Sequence, residues 1–348
     1  MSEFILKNYC EPKFLKTNEM SCNCSTFIMN GKRYLISRNV SYFLGEDSGY
    51  LIDGKYHSKN YLYEFNKNNE LKLVKEMNTL DANNNCRYFG LEDVRTINWN
   101  DEIYFSCTKV LGNTDTATMC FGKIDDNLNF TNLREFKTNN RREKNWVPIE
   151  DNPFTYVYSF QPLKFVNILE NKFYEWNNQF NKNFSGSTPV IKYKDWQMTI
   201  VHSKNKTYHY IHNFVLLDKK FNVIQISNDF TFFGNRTEFC CDLKYNNGKI
   251  QIITSVNDGL SYCFEFDEVF LNKIFNKELN DNVQKEELYN RFLSDSLKIN
   301  APEFSAIQAL WATDKELLKE AIVLNHEKSK LYINDKIKIQ NILLNKLK

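Results

Sequence analysis

The chain of 348 residues lacks long hydrophobic runs and has almost no excess of charge of either sign. No stretch approaches the roughly 18 consecutive apolar residues of a membrane-spanning helix, and no basic segment followed by an apolar core opens the chain. Lys and Arg total 45 against 43 Asp and Glu, so no overall field attracts nucleic acid or an anionic membrane. We therefore expect a cytoplasmic protein that binds no nucleic acid and has no membrane span.

Glycine and proline are scarce, with 11 and 6 residues, and the nine cysteines follow no framework spacing. Most cysteines lie in apolar, strand-like runs, which indicates reduced thiols rather than a disulfide scaffold. No histidine completes a zinc-type spacing beside Cys22, Cys24, Cys240 or Cys241. We expect neither a metal nor another cofactor.

Five stretches share one pattern: a polar start, a short strand, a tight turn and a second strand rich in aromatic and β-branched residues. The turns carry Asn-Gly, Asn-Asp, Asp-Asn-Pro, Lys-Asp or Asn-Asn-Gly, which suit the dihedral angles of tight hairpins. Other alternating segments with turns of their own lie between these stretches. The stretches are 23–38, 92–108, 144–160, 186–203 and 238–258.

The spacing of these units predicts a propeller. Their starts at 23, 92, 144, 187 and 238 are 69, 52, 43 and 51 residues apart, the scale of one four-stranded blade. We predict an all-β fold, a five-bladed β-propeller over residues 1–265, with the N-terminal "EFILKNY" completing or buttressing the last blade. A β-sandwich is the alternative, but it gives no reason for similar hairpins at this spacing.

Residues 266–348 carry apolar positions near the helical period, in "VQKEELYNRFLSDSL", "DKELLKEAIVLNHEKSKL" and "DKIKIQNILLNKL". We predict a helical C-terminal extension packed on the propeller. The same helices could pack on a second subunit, so the sequence leaves an oligomer open.

The first strand of every propeller blade lines the central axis, so the same ends of these strands converge on one mouth. Carboxylates, cations and amides around one funnel suit a polyhydroxylated substrate. The residues that this geometry gathers are Asn23, Arg38, Glu92, Asp93, Lys144, Asn145, Ser187, Thr188, His202, Glu238 and Asp258.

Several motifs resemble, in order, those of glycoside hydrolase family 130 (GH130) and its relatives: "GLEDVR", "EKNWVPI", "GSTPVI", the "VH" that closes the fourth hairpin, "FVLLD", and "EFCCDL" followed by "SVND". The resemblance covers roughly residues 20–260. It implies a five-bladed propeller that acts on β-mannosides as a phosphorylase, a hydrolase or a transferase that uses GDP-mannose.

The resemblance also implies roles for single residues. Asp93 matches the general acid of the family, which passes its proton through a hydroxyl of the bound mannose. Asn23 and Arg38 match the pair that holds this sugar. Lys144 and His202 match positions that contact inorganic phosphate in the phosphorylases.

Other residues of these motifs either bind substrate or support the loop. Glu92 and Arg95 belong to the same motif as Asp93, and Arg95 could instead pair with Glu92. The sequence departs from the family at Val94, where proline is usual, and at Cys24, where serine is expected. The segment "TDTATMCFGKI" also lacks an arginine of the phosphorylases, and without that bidentate guanidinium a phosphate is less well held.

We expect glycosyl transfer, by phosphorolysis or from a nucleotide sugar, with a glycan substrate and with inorganic phosphate or a nucleotide sugar as partner. Inverting hydrolysis is an alternative. It needs a second carboxylate about 6.5–9.5 Å from the acid, which Glu143, Glu238 or Asp258 could provide. A propeller that binds glycan or protein without chemistry is the third possibility. The residues expected to bind substrate are Asn23, Arg38, Glu92, Arg95, Asn145, Thr188, Glu238 and Asp258.

Overall fold

A computed structural model shows strands almost throughout the residues that it describes. Tight hairpin turns join many of them. Asn30 and Gly31 have φ of 51° and 70°, and Asn247 and Gly248 have 50° and 76°. Two successive positive φ values produce the turn whose twist matches paired strands, so Asn-Gly sequences fix these hairpins. The described residues are 4–17, 21–40, 42–44, 49–51, 56–78, 88–111, 116–176, 180, 182–206 and 208–279.

The strands form five blades in chain order, after an N-terminal segment with β1 (Phe4–Ile5), a 3₁₀ turn (Leu6–Asn8) and β2 (Lys13–Phe14). Blade 1 contains β3 (Cys22–Met29), β4 (Lys32–Val40), the small hairpin of β5 (Tyr42–Leu44) and β6 (Gly49–Leu51), β7 (Tyr56–Phe65) and β8 (Leu71–Glu76). Blade 2 contains β9 (Tyr88–Trp99), β10 (Glu102–Leu111), β11 (Thr116–Ile124) and β12 (Phe130–Phe136). Blade 3 contains β13 (Val147–Ile149), β14 (Asn152–Phe160), β15 (Leu163–Asn167) and β16 (Lys172–Glu175). Blade 4 contains β17 (Ser185–Gly186), β18 (Ile191–Tyr193), β19 (Trp196–Lys204), β20 (Tyr210–Leu217), β21 (Val223–Ile226) and β22 (Phe230–Thr231). Blade 5 contains β23 (Glu238–Asn246), β24 (Lys249–Val256) and β25 (Leu260–Asp267), and the helix α1 (Glu268–Phe275) follows.

The N-terminal segment closes the ring, although not with the residues expected. β2 pairs antiparallel with β25 and supplies the outer strand of blade 5. β1, which lies in "EFILKNY", instead pairs in parallel with β22 of blade 4. Phe4 and Leu6 are fully buried in the apolar cluster that blades 4 and 5 share. The predicted segment therefore buttresses the last blade, and the strand that completes it comes a few residues later.

The core lies between the blades. One apolar cluster joins blades 1 and 2, the next joins blades 2 and 3, and others join blades 3 and 4 and blades 4 and 5. Leu15, Cys24, Leu35, Tyr63 and Ile253 form the cluster between blades 1 and 5. Because every blade packs on both neighbours, the predicted five-bladed propeller is confirmed.

Blades 1 and 2 are joined by more than packing. β7 pairs in parallel with β9 over three residue pairs, the last of which is Ser58 with Gly90. Gly90 has φ of 106°, and a Cβ there would collide with the backbone of Ser58. The absence of a side chain at Gly90 permits this close approach, which merges the two blades into one sheet beside the mouth.

Helix α1 begins directly after β25. The Asp267 carboxylate accepts a hydrogen bond of 2.9 Å from the Phe270 amide and caps the helix. Leu271, Ile274 and Phe275 are buried against blades 4 and 5. The three helical patterns predicted farther along lie outside the described residues, and the division at residue 266 remains a prediction.

Gly186 provides a test of the packing between blades 3 and 4. A Cβ at Gly186 would meet Val147 Cγ2 and would lie 2.5 Å from the Asn145 carbonyl oxygen. We expect Gly186→Ala to lower the free energy of unfolding by about 1–3 kcal/mol in urea titrations, because the backbone must shift. Gly31→Asn is the control, since that turn is open and Asn tolerates its positive φ; about 0.5 kcal/mol is expected. Equal losses in both variants would contradict the close approach.

Candidate active site

The first parts of β3 and β9 and the end of β4 bring Asn23, Asp93 and Arg38 into contact at one end of the propeller. Asn23 Nδ2 donates to Asp93 Oδ1 at 2.6 Å, and Arg38 Nη1 lies 3.3 Å from the same oxygen. Asn23 and Asp93 have φ of 48° and 55°. Left-handed conformations at two residues outside a plain turn are held by their surroundings and are common at functional sites. Here they accompany a direct contact between blades 1 and 2.

Arg38 is the charged centre of this group. Its side chain is 4% exposed, and its Nη2 lies 2.6 Å from Glu92 Oε1. Its Nε donates to the Ser58 hydroxyl at 2.9 Å. One buried guanidinium therefore faces two adjacent carboxylates, and the junction of β7 with β9 fixes its position through Ser58.

The two carboxylates respond to this arrangement in opposite directions. Burial, the largest effect, would raise the pKa of Asp93, but Arg38, Arg95, the Asn23 amide and Lys144 together lower it. Burial raises the pKa of Glu92, against the opposing effect of Arg38 and with a further increase from Asp93. A proton taken up by the pair therefore resides on Glu92, while Asp93 stays ionised.

Arg95 does not pair with Glu92. It is fully buried, and its Nε donates to the Ser187 carbonyl at 2.6 Å while its Nη1 donates to the Asp93 carbonyl at 3.0 Å. Its guanidinium lies 5.7 Å from the centre of the Phe239 ring. Arg95 thus ties blade 2 to blade 4 behind the mouth, so the structure gives it a supporting position rather than the predicted contact with substrate.

His202 is buried on the side of blade 4. Its Nδ1 lies 2.8 Å from the Ser187 hydroxyl, and its ring stacks on Tyr210 with centroids 5.1 Å apart. Burial lowers the pKa of His202 well below its usual value, and His212, Arg95 and Lys144 lower it further. The imidazole is therefore neutral and can act as a hydrogen-bonding group, not as a cation.

Lys144 and Asp258 lie near these groups, as predicted. The charge of Lys144 lowers the pKa values of Asp93, Glu92 and His202. The charge of Asp258 raises the pKa of Glu92. Lys144 is exposed, and Asn145 beside it is half-buried with φ of 63°.

Thr188, Glu238 and Glu143 are occupied elsewhere. The Thr188 hydroxyl accepts from the Ile200 amide at 2.9 Å, and Thr188 is fully buried. The Glu238 carboxylate accepts three backbone N–H groups of residues 232–235 at 2.6–2.9 Å. Glu143 accepts from Trp146 Nε1, and from Thr138, Asn140 and Tyr158. These contacts hold loops and strand ends, and they take up the oxygens that a substrate would need.

The sequence reasoning missed two cations, Lys204 and Arg236. The Lys204 ammonium lies 4.6 Å from the centre of the Tyr210 ring, which stacks on His202. Burial lowers the pKa of Lys204, and Lys144 and Arg236 lower it further, so the three cations are close. Lys204 lies two residues after His202 on one strand, and side chains two residues apart on a strand lie on the same face. This spacing is the sequence feature that could have predicted Lys204 beside His202.

Two features are absent from the described part of the chain. No helix there is long and apolar enough to cross a membrane. No group of three or more His, Cys, Asp or Glu side chains there could hold a metal ion.

Solved structures share this architecture. β-1,2-Mannobiose phosphorylase from Listeria innocua aligns with a TM-score of 0.51 at 11% identity, over 74% of this chain and 92% of that protein. A hypothetical protein from Leishmania major aligns with a TM-score of 0.51 at 15% identity, over 75% and 90%. A GH130 structure, from work on glycoside hydrolases that target β-1,2-mannosidic linkages in Candida mannan, aligns with a TM-score of 0.50 at 11% identity, over 72% and 85%.

The chain has a GH130-like fold. The predicted resemblance is confirmed at this level. No family model matches the sequence, and no curated protein matches it significantly. At such low identities the likeness establishes the fold alone.

The buried imidazoles of His202 and His212 in blade 4 make the stability of the folded protein depend on pH. Burial lowers the pKa of His212 to about 3, and that of His202 also falls. Below about pH 6.5 these two histidines bind protons in the unfolded chain but not in the folded chain. The free energy of unfolding is therefore highest above pH 6.5 and falls as the pH decreases. We expect His212→Phe to reduce this slope by about 1.4 kcal/mol per pH unit between pH 6 and pH 4.

Urea unfolding of the two proteins across this range measures the slope. Phe230→Leu is the control, because Phe230 lies 5.7 Å from the His212 ring centre and its truncation removes packing without removing a titrating group. We expect it to lower stability equally at every pH. An unchanged slope in His212→Phe would show that His212 is protonated in the folded protein.

Proposed function

We propose that this chain is a carbohydrate-active enzyme that transfers a β-mannosyl group, either by phosphorolysis of a β-mannoside or from a nucleotide sugar such as GDP-mannose. Asp93 is the general acid. The observation that carries this proposal is the fixed group of Asn23, Arg38 and Asp93 at the end of a GH130-like propeller. Beside it lie two lysines, Lys144 and Lys204, that form no ion pair with another described residue.

The sugar side of the site is built for hydroxyl groups. Asn23 Oδ1 is buried and has no hydrogen-bond partner among the described residues, so it can accept from a substrate hydroxyl. Arg38 can donate to another oxygen, with Glu92 holding its guanidinium. Asn145 and Asp258 border the same mouth and complete the proposed contacts with the glycan.

Proton transfer follows from the unequal carboxylates. In the free protein Asp93 is the ionised member of the pair, and Glu92 has the raised pKa. A sugar hydroxyl that competes for Asn23 and Arg38 weakens their hold on Asp93 and excludes water, and both changes raise the pKa of Asp93. The proton can then move to Asp93 and, through a sugar hydroxyl, to the leaving oxygen.

The anionic partner is bound on the other side. Lys144 and Lys204 have no ion-pair partner among the described residues, and their charges lie close enough to lower the pKa of Lys204. A phosphate or diphosphate group between them relieves this repulsion and replaces the bidentate arginine that the sequence lacks. His202, neutral and oriented by Ser187, adds a hydrogen bond.

Inverting hydrolysis is less well supported by the same geometry. Of the carboxylates that could activate water, Glu143 and Glu238 already accept hydrogen bonds from side chains or from the backbone. Asp258 is the remaining candidate. A reaction that consumes inorganic phosphate or a nucleotide sugar also fits the cytoplasmic setting predicted from the sequence, since both compounds are intracellular.

The general-acid role predicts the effect of Asp93→Asn. We expect turnover to fall about 10²–10⁴-fold, because the amide has no transferable proton, while it still accepts from Asn23. The assay combines β-1,2-mannobiose with phosphate or water, or GDP-mannose with mannoside acceptors, and quantifies mannose 1-phosphate, free mannose, GDP and longer glycan.

Asp101→Asn is the matched control, since Asp101 lies at the far turn of the same hairpin, is exposed and has φ of 62°, which Asn tolerates. It should leave turnover unchanged. Full activity in Asp93→Asn would remove the acid assignment. If the unmodified protein binds a glycan but turns over no donor, the chain is a glycan-binding propeller without enzymatic activity.

The anion site predicts the effect of Lys204→Met. Methionine keeps the stem over Tyr210 and removes the charge, so KM for phosphate or GDP-mannose should rise roughly 10-fold or more. The KM for the mannoside should stay the same. Lys206→Met, on an exposed residue just beyond β19, is the control. If Lys204→Met changes only the rate of hydrolysis and not the KM for phosphate or GDP-mannose, the proposed anion site is wrong.

A further inference from the structure

A second cavity lies at the opposite end of the propeller axis. It has a volume of about 660 Å³ and is open to solvent. The turns of the inner hairpins of blades 2, 3 and 4, together with the end of β23, form its wall. Its lining residues are Asn98, Trp99, Asn100, Glu150, Asp151, Lys192, Lys194 and Tyr245.

This cavity, which we call the far pocket, is separate from the mouth at Asp93. Asn98 follows Asp93 by five residues of strand β9, about 17 Å along an extended strand. Between them, buried hydrogen bonds join the inner strands of blades 1, 2 and 5: Thr26 Oγ1 donates to Asp242 Oδ2 at 2.6 Å, and Thr96 Oγ1 donates to the Thr26 carbonyl at 2.8 Å.

The wall is held in place before any ligand binds. The Trp99 ring makes T-shaped contacts with Tyr104 and Phe154, with centroids 5.8 Å from each. Asn98 Nδ2 donates to the Ile28 carbonyl at 3.0 Å. A half-exposed indole and a fixed amide at one opening offer an apolar ring face and a hydrogen-bonding group together.

The charges of the far pocket balance. Glu150 and Asp151 oppose Lys192 and Lys194, so the lining has no net charge. Glu150 accepts from the Lys192 amide at 2.9 Å, and Lys194 lies 2.5 Å from Glu268 at the start of α1. With Lys194 paired to Glu268, the wall does not favour an anion, whereas a neutral ligand with many hydroxyls fits its amides, carboxylates and indole.

We propose that the far pocket is a second carbohydrate-binding site that takes a neutral oligosaccharide. Its volume lies within the range of about 300–1,000 Å³ typical of ligand pockets. Trp99 supplies the stacking face, and Asn100 and Asp151 supply hydrogen bonds to hydroxyls. The choice of a β-mannoside as first probe rests on the proposed function, but the pocket itself does not.

The test is a calorimetric titration of the full chain carrying Asp93→Asn, with β-1,2-mannotriose and then with cello-, xylo- and galacto-oligosaccharides. We expect one of these to bind with two sites per chain, and Trp99 fluorescence to report one of them. Asn100→Gly, which retains the positive φ, and Asp151→Ala should each weaken that site about 10-fold and leave the other unchanged.

Trp99→Phe, which keeps the aromatic packing, should remove the fluorescence change, and Trp196→Phe is the control, since Trp196 is 42% exposed and does not line the pocket. One binding site that is insensitive to Trp99, Asn100 and Asp151 would overturn the proposal, as would no binding by any glycan. If the unmodified protein transfers no mannosyl group but the chain still binds a glycan at Trp99, the proposed function is wrong and the far-pocket proposal stands.

Discussion

The buried guanidinium of Arg95 is the contact on which the rest of the site depends. It donates to the backbone carbonyls of Asp93 and Ser187, and so it fixes two blades across the axis. Asp93 has a left-handed backbone, and Ser187 orients His202. A charge buried without a carboxylate is costly unless its N–H groups are satisfied. The two carbonyls offset part of that cost, while Arg95 Nη2 is buried with no hydrogen-bond partner among the described residues.

The neighbouring contact of Arg38 follows from a backbone feature. Gly90 allows β9 to pair closely with β7, and this pairing brings Ser58 against Arg38 and Arg38 against Glu92. The pKa values of Glu92 and Asp93 shift in opposite directions because burial has the largest effect on Glu92, whereas the neighbouring groups, led by Arg38 and Arg95, together outweigh burial at Asp93. A single glycine therefore contributes to the electrostatics of the pair without touching either carboxylate.

The repeat pattern was enough to predict the propeller and the meeting of Asn23, Arg38 and Asp93, because strand period and turn residues determine which strand ends share a mouth. It could not decide the roles of Glu238 and Thr188. Both lie at predicted strand starts, yet their partners are backbone amides of distant or neighbouring segments, and these contacts depend on loop paths. Closure by β2 was missed for a similar reason, since a two-residue strand carries no periodicity.

The separation of charge at the mouth is the physical basis for proposing that one site binds both a sugar and an anion. Glu92 and Asp93 surround Arg38 on the blade 1 and blade 2 side, whereas Lys144 and Lys204 lie toward blade 4 beside a histidine kept neutral by burial. A protonated His202 would add a further cation there, but it would also stabilise ionised Asp93 and oppose its proposed role as an acid. A neutral imidazole avoids that conflict, and under the proposed function the neighbouring cations supply the charge that a phosphate group needs.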